Sequence, residues 1–363
     1  MVSRRLLDLF LELARIDGLP GREGAVAKRV FAFLRGLGLQ PAMDGSAAAA
    51  LSDTSNVVCP VGGGGAFVLL AHMDTAAYTS SARQVVGADR VSTDGRAPLG
   101  ADGRAGMAAI LYALERAVHT NLPLKPFTMA FTTRGRGNMA GVRNLALPAG
   151  VRCGFVLDSP LPPGSYAASS HGIALFSADV LGRSADASLE PEKGVSAIGI
   201  AAAALAGLKL GRHGAGTASN VGTISGGSAP GAVPLAAMVR GQVRADSQED
   251  ALPVLESVKA AFEEAAKAAG GAVSFKWWWD FAPYSHEPGS EVRRLAEEAV
   301  IAAGLRPAGV AAARGSEANA LNARGIAAVN FGVGIGNPLA NSEYIPLEAL
   351  SKASEIVSRL ISK

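Results

Sequence analysis

The sequence predicts an α/β fold with a mostly parallel central sheet and an inserted α+β domain. Up to about residue 164, short apolar segments such as AFVLLAHM (66–73) alternate with helical segments, as buried parallel strands and their crossover helices do. From about residue 165, the strand-like segments alternate apolar and polar residues, which favours antiparallel strands with one solvated face. The first pattern returns near residue 284. We therefore predict one discontinuous domain, residues 1–164 and 284–363, interrupted by residues 165–283.

The elements of the larger domain follow from hydrophobic periodicity and from the turn residues between segments. The N-terminal segment places Leu6, Phe10 and Leu13 at helical spacing, so it predicts an amphipathic helix rather than a signal peptide. Short continuous apolar runs predict buried strands. The expected helices cover about 2–16, 24–37, 103–120, 289–304 and 347 onwards, and the expected strands cover about 55–60, 66–73, 127–133, 153–159 and 326–334.

In the inserted domain the segments follow the order strand, helix, strand, strand, helix, strand, which is typical of a ferredoxin-like module. Side chains alternate along a strand, so Trp277 and Trp279 are expected on one face of the last strand and Trp278 on the other. The expected strands are 173–182, 218–227, 236–246 and 271–281, and the expected helices are about 191–209 and 252–270.

Composition and charge argue against several functional classes. The chain has 363 residues and a hydrophobic fraction of 49%, which is enough for a sizeable core. Its net charge of +3, without a Lys/Arg block, predicts no nucleic-acid binding, and the lack of a long uncharged apolar run predicts no membrane span. Cys59 and Cys153 lie far apart and outside metal-type motifs, which favours buried thiols in a reducing compartment such as the cytoplasm.

Polar side chains lie at the ends of two predicted strands and at the start of one predicted helix, at the edge of the sheet where ligands gather. His72 and Asp74 end one buried strand, Asp158 ends another, and Asp102 precedes a helix within PLGADGRAG. Each alone has an ordinary structural interpretation, because a histidine can be satisfied in a core and an aspartate often caps a helix. Together, one imidazole and two carboxylates are a reasonable ligand set for zinc.

Several segments together resemble the zinc exopeptidases of the aminoacylase and carboxypeptidase superfamily, and in particular their peptidase T (tripeptide aminopeptidase)-like branch. The resemblance runs nearly end to end and includes the inserted domain. It implies a catalytic α/β domain with an inserted lid or dimerisation domain. The segments that carry it are LLAHMDT, LGADGRAGMAAI, FVLD, GRSADASLEPEKGVSAI, SNVGTISGG, and GIAAVNFGVG followed by NSEYIPLEAL.

In this family two metal ions share a bridging aspartate, and a glutamate acts as the general base that takes a proton from metal-bound water. The resemblance implies that His72, Asp102 and Asp158 form the complete protein ligand set of one metal. It also implies that Asp74 is the carboxylate that orients His72.

Other family positions carry different residues here. Gly135 stands at the position of the general base, and Arg136 and Leu339 stand at the positions of the second metal's own ligands, with Glu343 as the alignment anchor for Leu339. A guanidinium cannot ligate zinc but is always cationic, so Arg136 near Asp102 could supply the charge of the absent metal; a solvent-facing Arg136 is the alternative. The weaker substrate-binding candidates are Asp186, which replaces a family histidine, and Arg314, Ser316, Glu317 and Asn319.

Three functional hypotheses follow. The favoured one is a pseudopeptidase that binds a small peptide or amino-acid derivative, with at most one zinc ion per chain, or none. The second is an active single-metal hydrolase of small peptides or N-acyl amino acids with another base, for which Glu317 is the available acidic residue. The third is a non-catalytic assembly subunit. A homodimer through the inserted domain is expected in each case.

Overall fold

The computed structural model describes residues 2–363 and divides them into two compact units. The first unit comprises the chain up to residue 169 and from residue 285 onwards, and the second comprises residues 170–284. Within residues 2–363, no helix has the length and apolar character needed to span a membrane.

The helices and strands are numbered along the whole chain. The helices are α1 (Arg4–Arg15), α2 (Gly24–Gly36), α3 (Ala47–Ala50), α4 (Ala101–His119), α5 (Ala140–Arg143), α6 (Ala197–Gly207), α7 (Gln248–Ala269), α8 (Glu291–Ala302), α9 (Glu317–Ala323) and α10 (Leu347–Ile361). The strands are β1 (Ala42–Met43), β2 (Val57–Val61), β3 (Phe67–His72), β4 (Gln84–Val86), β5 (Arg90–Thr93), β6 (Phe127–Thr132), β7 (Cys153–Ser159), β8 (Ser165–Ser170), β9 (Gly172–Leu181), β10 (Gly211–Arg212), β11 (Ala218–Gly226), β12 (Ala236–Ala245), β13 (Ala272–Phe281), β14 (Tyr284–Ser285), β15 (Ala308–Ala312), β16 (Ala327–Gly332) and β17 (Ile345–Pro346).

The first unit is built on a mixed sheet whose central strands are parallel. The strand order is β1-β2-β6-β3-β7-β16-β8-β14, and β6, β3, β7 and β16 run parallel to one another. Antiparallel strands flank this parallel core on both sides. All residues of β3 are buried, as expected for a strand between two parallel neighbours. The predicted fold class is therefore confirmed.

Helices cover this sheet and seal its core. Helices α1, α4, α8 and α10 pack as one layer against the sheet, while α9 packs with α5 against β7 and β16. Aromatic rings of neighbouring strands also meet inside, since Phe155 lies against both Phe67 and Phe331. The apolar segments of the sequence thus form the buried strands of the sheet. The carboxyl ends of the parallel strands lie at the same edge.

The second unit is a five-stranded antiparallel sheet in the order β10-β11-β12-β9-β13. Helices α6 and α7 pack together against it. Trp277 and Trp279 pack against the core of this unit, whereas Trp278 is 48% exposed, which confirms the predicted alternation.

Two parts of the sequence prediction needed correction. The helix expected at about 191–209 is shorter: α6 begins only at Ala197, where the Ser196 hydroxyl accepts from the Gly199 backbone N–H, and Pro191–Lys193 forms a separate 3-10 turn. Strands β8 and β15 and helix α9 were not expected. Their segments are short and rich in Ala, Ser and Gly, so they carry no clear hydrophobic period.

Candidate functional site

His72 is the last residue of β3 and lies at the carboxyl edge of the parallel strands. The strand pairing with β6 continues one step beyond it, because the Met73 backbone N–H donates to the Thr132 carbonyl at 2.7 Å. This pairing holds the chain extended through the HxD segment. The His72 side chain is only 3% exposed, so each of its ring nitrogens needs a partner inside the protein.

Both ring nitrogens of His72 face acidic residues. Nδ1 lies 2.9 Å from the Asp74 backbone carbonyl and 3.2 Å from Asp74 Oδ1. Nε2 lies 2.9 Å from Asp102 Oδ1 and 4.0 Å from Asp158 Oδ2. The structure therefore brings together all four residues that the sequence singled out at the sheet edge.

Asp102 reaches His72 through a break at the start of α4. Asp102 has an extended ψ of 118° and Gly103 a φ of +83°, so regular helix begins only after this pair. A Cβ atom on Gly103 would lie 2.6 Å from His72 Cε1. Only glycine fits the conformation and the close approach, which explains the glycines that flank Asp102 in the sequence.

Asp158 lies near the end of β7 and is held by the next strand. The Asn330 side chain on β16 donates from Nδ2 to Asp158 Oδ1, and its Oδ1 accepts from the Asp158 backbone N–H at 3.2 Å. The sequence pattern does not point to Asn330. The one available signal is a polar residue within the apolar strand AAVNFG.

Asp74 also binds the loop that follows β6. The Asp74 carboxylate accepts from the Gly135 backbone N–H at 2.7 Å and from the Arg136 backbone N–H at 2.8 Å. Gly135 packs so closely that an added Cβ would lie 2.5 Å from His72 Cβ. The Arg136 guanidinium forms an ion pair with Asp102 Oδ2 and is only 20% exposed. The solvent-facing alternative for Arg136 is thus wrong.

The charges of these groups stabilise one another. Burial acts to lower the pKa of His72, but the adjacent Asp74 and Asp102 outweigh it and hold that pKa well above its usual value. Burial acts to raise the pKa of Asp102, but the hydrogen bond from His72 and the charge of Arg136 keep it below its usual range. Burial raises the pKa of Asp158. Arg136 therefore brings a fixed positive charge to these carboxyl groups, and the carboxyl groups favour the protonated form of His72.

Glu317, the first residue of α9, is buried beside this cluster. Its Oε1 accepts from the Thr132 hydroxyl at 2.5 Å, and its Oε2 has no hydrogen-bond partner. Burial raises its pKa to about 8, although the nearby positive charge of His72 opposes that shift.

The other substrate-binding candidates of this segment lie around the start of α9. Ser316 and Asn319 form a capping box, in which Asn319 Oδ1 accepts from the Ser316 backbone N–H at 2.9 Å. The pair fixes the helix start that carries Glu317. Arg314 is exposed in the preceding loop.

Leu339 lies in a loop that a buried acid ties to the Asp102 turn. Glu343 accepts from the backbone N–H groups of Gly100 at 2.6 Å, Ala101 at 3.1 Å and Leu339 at 3.3 Å. Leu339 itself has a φ of +73°, which is unusual for a residue with a bulky side chain. Burial raises the pKa of Glu343, and its carboxylate compensates for that burial by accepting from the three backbone N–H groups.

Asp186 belongs to the second unit and is exposed. Its Oδ1 accepts from the backbone N–H groups of Ser188 at 2.8 Å and Leu189 at 2.9 Å, which lowers its pKa. The carboxylate thus stabilises a turn within its own segment.

As arranged, His72, Asp102 and Asp158 do not form the open ligand set of one metal that the resemblance implies. Two of the atoms that would bind zinc, His72 Nε2 and Asp102 Oδ1, are joined to each other by a 2.9 Å hydrogen bond. The other Asp102 oxygen is paired with Arg136. Throughout residues 2–363, no group of three or more His, Cys, Asp or Glu side chains has an arrangement that could hold a metal ion.

Comparison with known proteins shows what this fold is similar to. Residues 169–270 match the M20 peptidase dimerisation domain. An uncharacterised Bacillus subtilis protein, YqjE, is 29% identical over 99% of this chain and 98% of its own. The crystal structure of aminopeptidase PepT from Bacillus cereus has a TM-score of 0.88 at 28% identity, and that of a Staphylococcus aureus tripeptidase has 0.87 at 27% identity. Each covers 99% of this chain and 98% of the other.

These matches identify the fold as that of an M20-type exopeptidase. Within that class, the chain resembles peptidase T and tripeptidases over nearly its whole length, and the resemblance drawn from the sequence is confirmed. A further structure with the same fold, Bacillus subtilis YXEP, is described as a dinuclear metal-binding peptidase of the M20 family; it has a TM-score of 0.74 at 18% identity.

Gly135→Ala is expected to destabilise the protein, because the added methyl group would meet His72 in a closed space. We expect a loss of about 1–3 kcal/mol in the free energy of unfolding, measured by urea denaturation. Gly36→Ala is the matched control, since its new Cβ meets no atom within 4 Å and alanine favours the helix. Equal stability of the two variants would show that Gly135 does not pack against His72 in solution.

Proposed function

We propose that this chain is a pseudopeptidase: a peptidase T-like protein that binds a small peptide or an amino-acid derivative without efficient hydrolysis. The loop after β6 carries the proposal. By the resemblance, it should present a general base and a metal-binding glutamate beside His72. It presents instead the backbone of Gly135, packed against the His72 ring, and a guanidinium paired with Asp102.

The chemical consequence of these replacements is large. A general base contributes ~10²- to 10⁴-fold to a rate, and metal-assisted charge stabilisation contributes several kcal/mol more. At about 1.4 kcal/mol per factor of ten, loss of both reduces peptide hydrolysis by roughly five or more orders of magnitude. Glu317, the acid available nearby, is closed to solvent and hydrogen-bonded to Thr132, so its position does not favour a role as base toward a bound water.

The same replacements limit metal binding. The resemblance assigns one zinc ion to His72, Asp102 and Asp158, with Asp74 orienting His72, although in the structure His72 Nε2 and Asp102 Oδ1 are hydrogen-bonded to each other at 2.9 Å. The second metal's own positions carry Arg136, which is paired with Asp102, and Leu339, which contributes no ligand atom. We therefore propose that the chain holds at most one zinc ion.

The purified chain should carry no more than one equivalent of zinc and should turn over tripeptides near the background rate. Metal content is measured by elemental analysis, and turnover by release of the N-terminal amino acid. His72→Ala serves as the control for contaminating peptidases. Two tightly bound ions, or robust turnover that His72→Ala abolishes, would contradict the proposal.

We also propose that the chain forms a homodimer through its second unit. The match of residues 169–270 to a peptidase dimerisation domain supports this. Two surface features of that unit support it as well. Helix α6 contains only Ala, Gly, Ile and Leu and exposes Ile198, Ala202 and Ala203. Strand β10 covers only the first two residues of β11, so the rest of that strand offers backbone groups for pairing with a second copy.

Ala203→Glu is expected to convert the dimer to a monomer, because it places a charge in the small, apolar face of α6. Ala260→Glu on the exposed side of α7 makes the same chemical change elsewhere in the unit and should leave the dimer intact. Light scattering after size exclusion distinguishes a mass near 36.8 kDa from twice that value. A dimer that resists Ala203→Glu but breaks with Ala260→Glu would place the interface elsewhere.

A cytoplasmic location is proposed as well. Cys59 and Cys153 are both buried free thiols, and burial raises the pKa of each to about 11. Such thiols are inert and suit a reducing compartment.

A further inference from the structure

The carboxyl groups around His72 require positive charge to balance them. Asp74 is fully buried, and Asp102 and Asp158 are largely so. Buried carboxylates are costly unless a cation or several hydrogen-bond donors compensate them. In peptidases of this architecture metal ions provide that compensation. In this chain the compensation comes from side chains, and Arg136 is the one whose charge does not depend on pH.

Backbone hydrogen bonds hold Arg136 in position. Its N–H donates to Asp74 at 2.8 Å, next to the Gly135 N–H that donates to the same carboxylate. These two bonds fix the loop so that the guanidinium reaches Asp102. Arg136 is therefore held from both ends by acids of the cluster, unlike a surface arginine that could swing into solvent.

The carboxylate that the guanidinium meets has no oxygen left for a metal. Asp102 Oδ1 takes the hydrogen bond with His72 Nε2 at 2.9 Å, and Oδ2 takes the ion pair with Arg136. A bridging aspartate would use one oxygen for each of two ions. To bind even one, a metal would have to break either the hydrogen bond between Asp102 and His72 or the ion pair between Asp102 and Arg136.

We infer that Arg136 is a permanent internal replacement for a metal cation, so that the native chain holds no metal at this cluster and becomes a divalent-metal binder only when the guanidinium is removed. This inference rests on the proposed function and makes it more specific. The proposed function allows at most one bound metal ion per chain, and the inference allows none. The ligand class of the unmasked site is a divalent transition metal, because the groups that remain are carboxylates and one imidazole.

The test compares thermal unfolding of the full-length chain with and without a chelator, and with added Mn²⁺ or Zn²⁺. Wild type should keep the same Tm under all these conditions, and its metal content should be well below one equivalent. Arg136→Met should lower the Tm by several degrees, and added Mn²⁺ or Zn²⁺ should raise it again in proportion to occupancy. A cobalt(II) titration of the same variant should give a saturable absorption band that wild type does not show.

Two further variants test whether the effect comes from the positive charge at residue 136 or from the loss of any arginine. Arg96→Met removes an exposed arginine that pairs with Asp94 and should leave the Tm insensitive to metal. Arg136→Lys keeps a cation in place and should also remain insensitive. If Arg136→Met does not fold, wild type and Arg136→Lys still decide the matter, because a metal-dependent Tm in either one overturns the inference.

The outcomes for the inference and for the proposed function differ. A single chelatable zinc that stabilises wild type, without peptide turnover, would overturn the inference and leave the pseudopeptidase proposal standing. An Arg136→Met variant that responds to no divalent ion would also overturn the inference. Tripeptide hydrolysis by metal-free wild type would overturn the proposed function alone.

Discussion

The arrangement of the site depends on one buried carboxylate, that of Asp74. It faces His72 Nδ1 at 3.2 Å and accepts the backbone N–H groups of Gly135 and Arg136 at 2.7 and 2.8 Å. Because the carboxylate is fully buried, these donors are its compensation, and without them its charge would be very costly. The orientation of the His72 ring and the placement of the Arg136 guanidinium therefore have a common origin.

Two other buried acids connect the loops around the site in the same way. Glu23 accepts from the backbone N–H groups of Gly21 at 2.9 Å and Arg134 at 2.8 Å and from the Ser52 hydroxyl at 2.7 Å. Glu343 joins the loop of Leu339 to the start of α4. Such acids hold loops by backbone groups, so the framework of a peptidase site can persist while the side chains that perform hydrolysis change. The proposed pseudopeptidase would keep this framework of loops.

The sequence predicted the position of a site residue when that residue lies at the end of a strongly apolar strand. His72, Asp74 and Asp158 end buried strands, and the parallel arrangement of those strands brings them together. Asn330 and Glu317 carry no such signal, since their partners lie far away in sequence and only the folded sheet brings them into contact. The start of α6 was missed because local capping by Ser196, rather than apolar composition, sets it.

The sequence by itself determined the fold class, the order of the long helices and strands and the four polar residues at the sheet edge, because periodicity and strand ends are local properties. The resemblance also predicts that the family's base and second-metal positions carry Gly135, Arg136 and Leu339. Only the tertiary structure decided what those replacements do. The surroundings of Arg136 and Gly135 depend on distances between segments that are far apart in the sequence. The sequence does not contain those distances. Here Arg136 pairs with Asp102 and Gly135 packs against His72, which decides between the two positions that the sequence left open for Arg136.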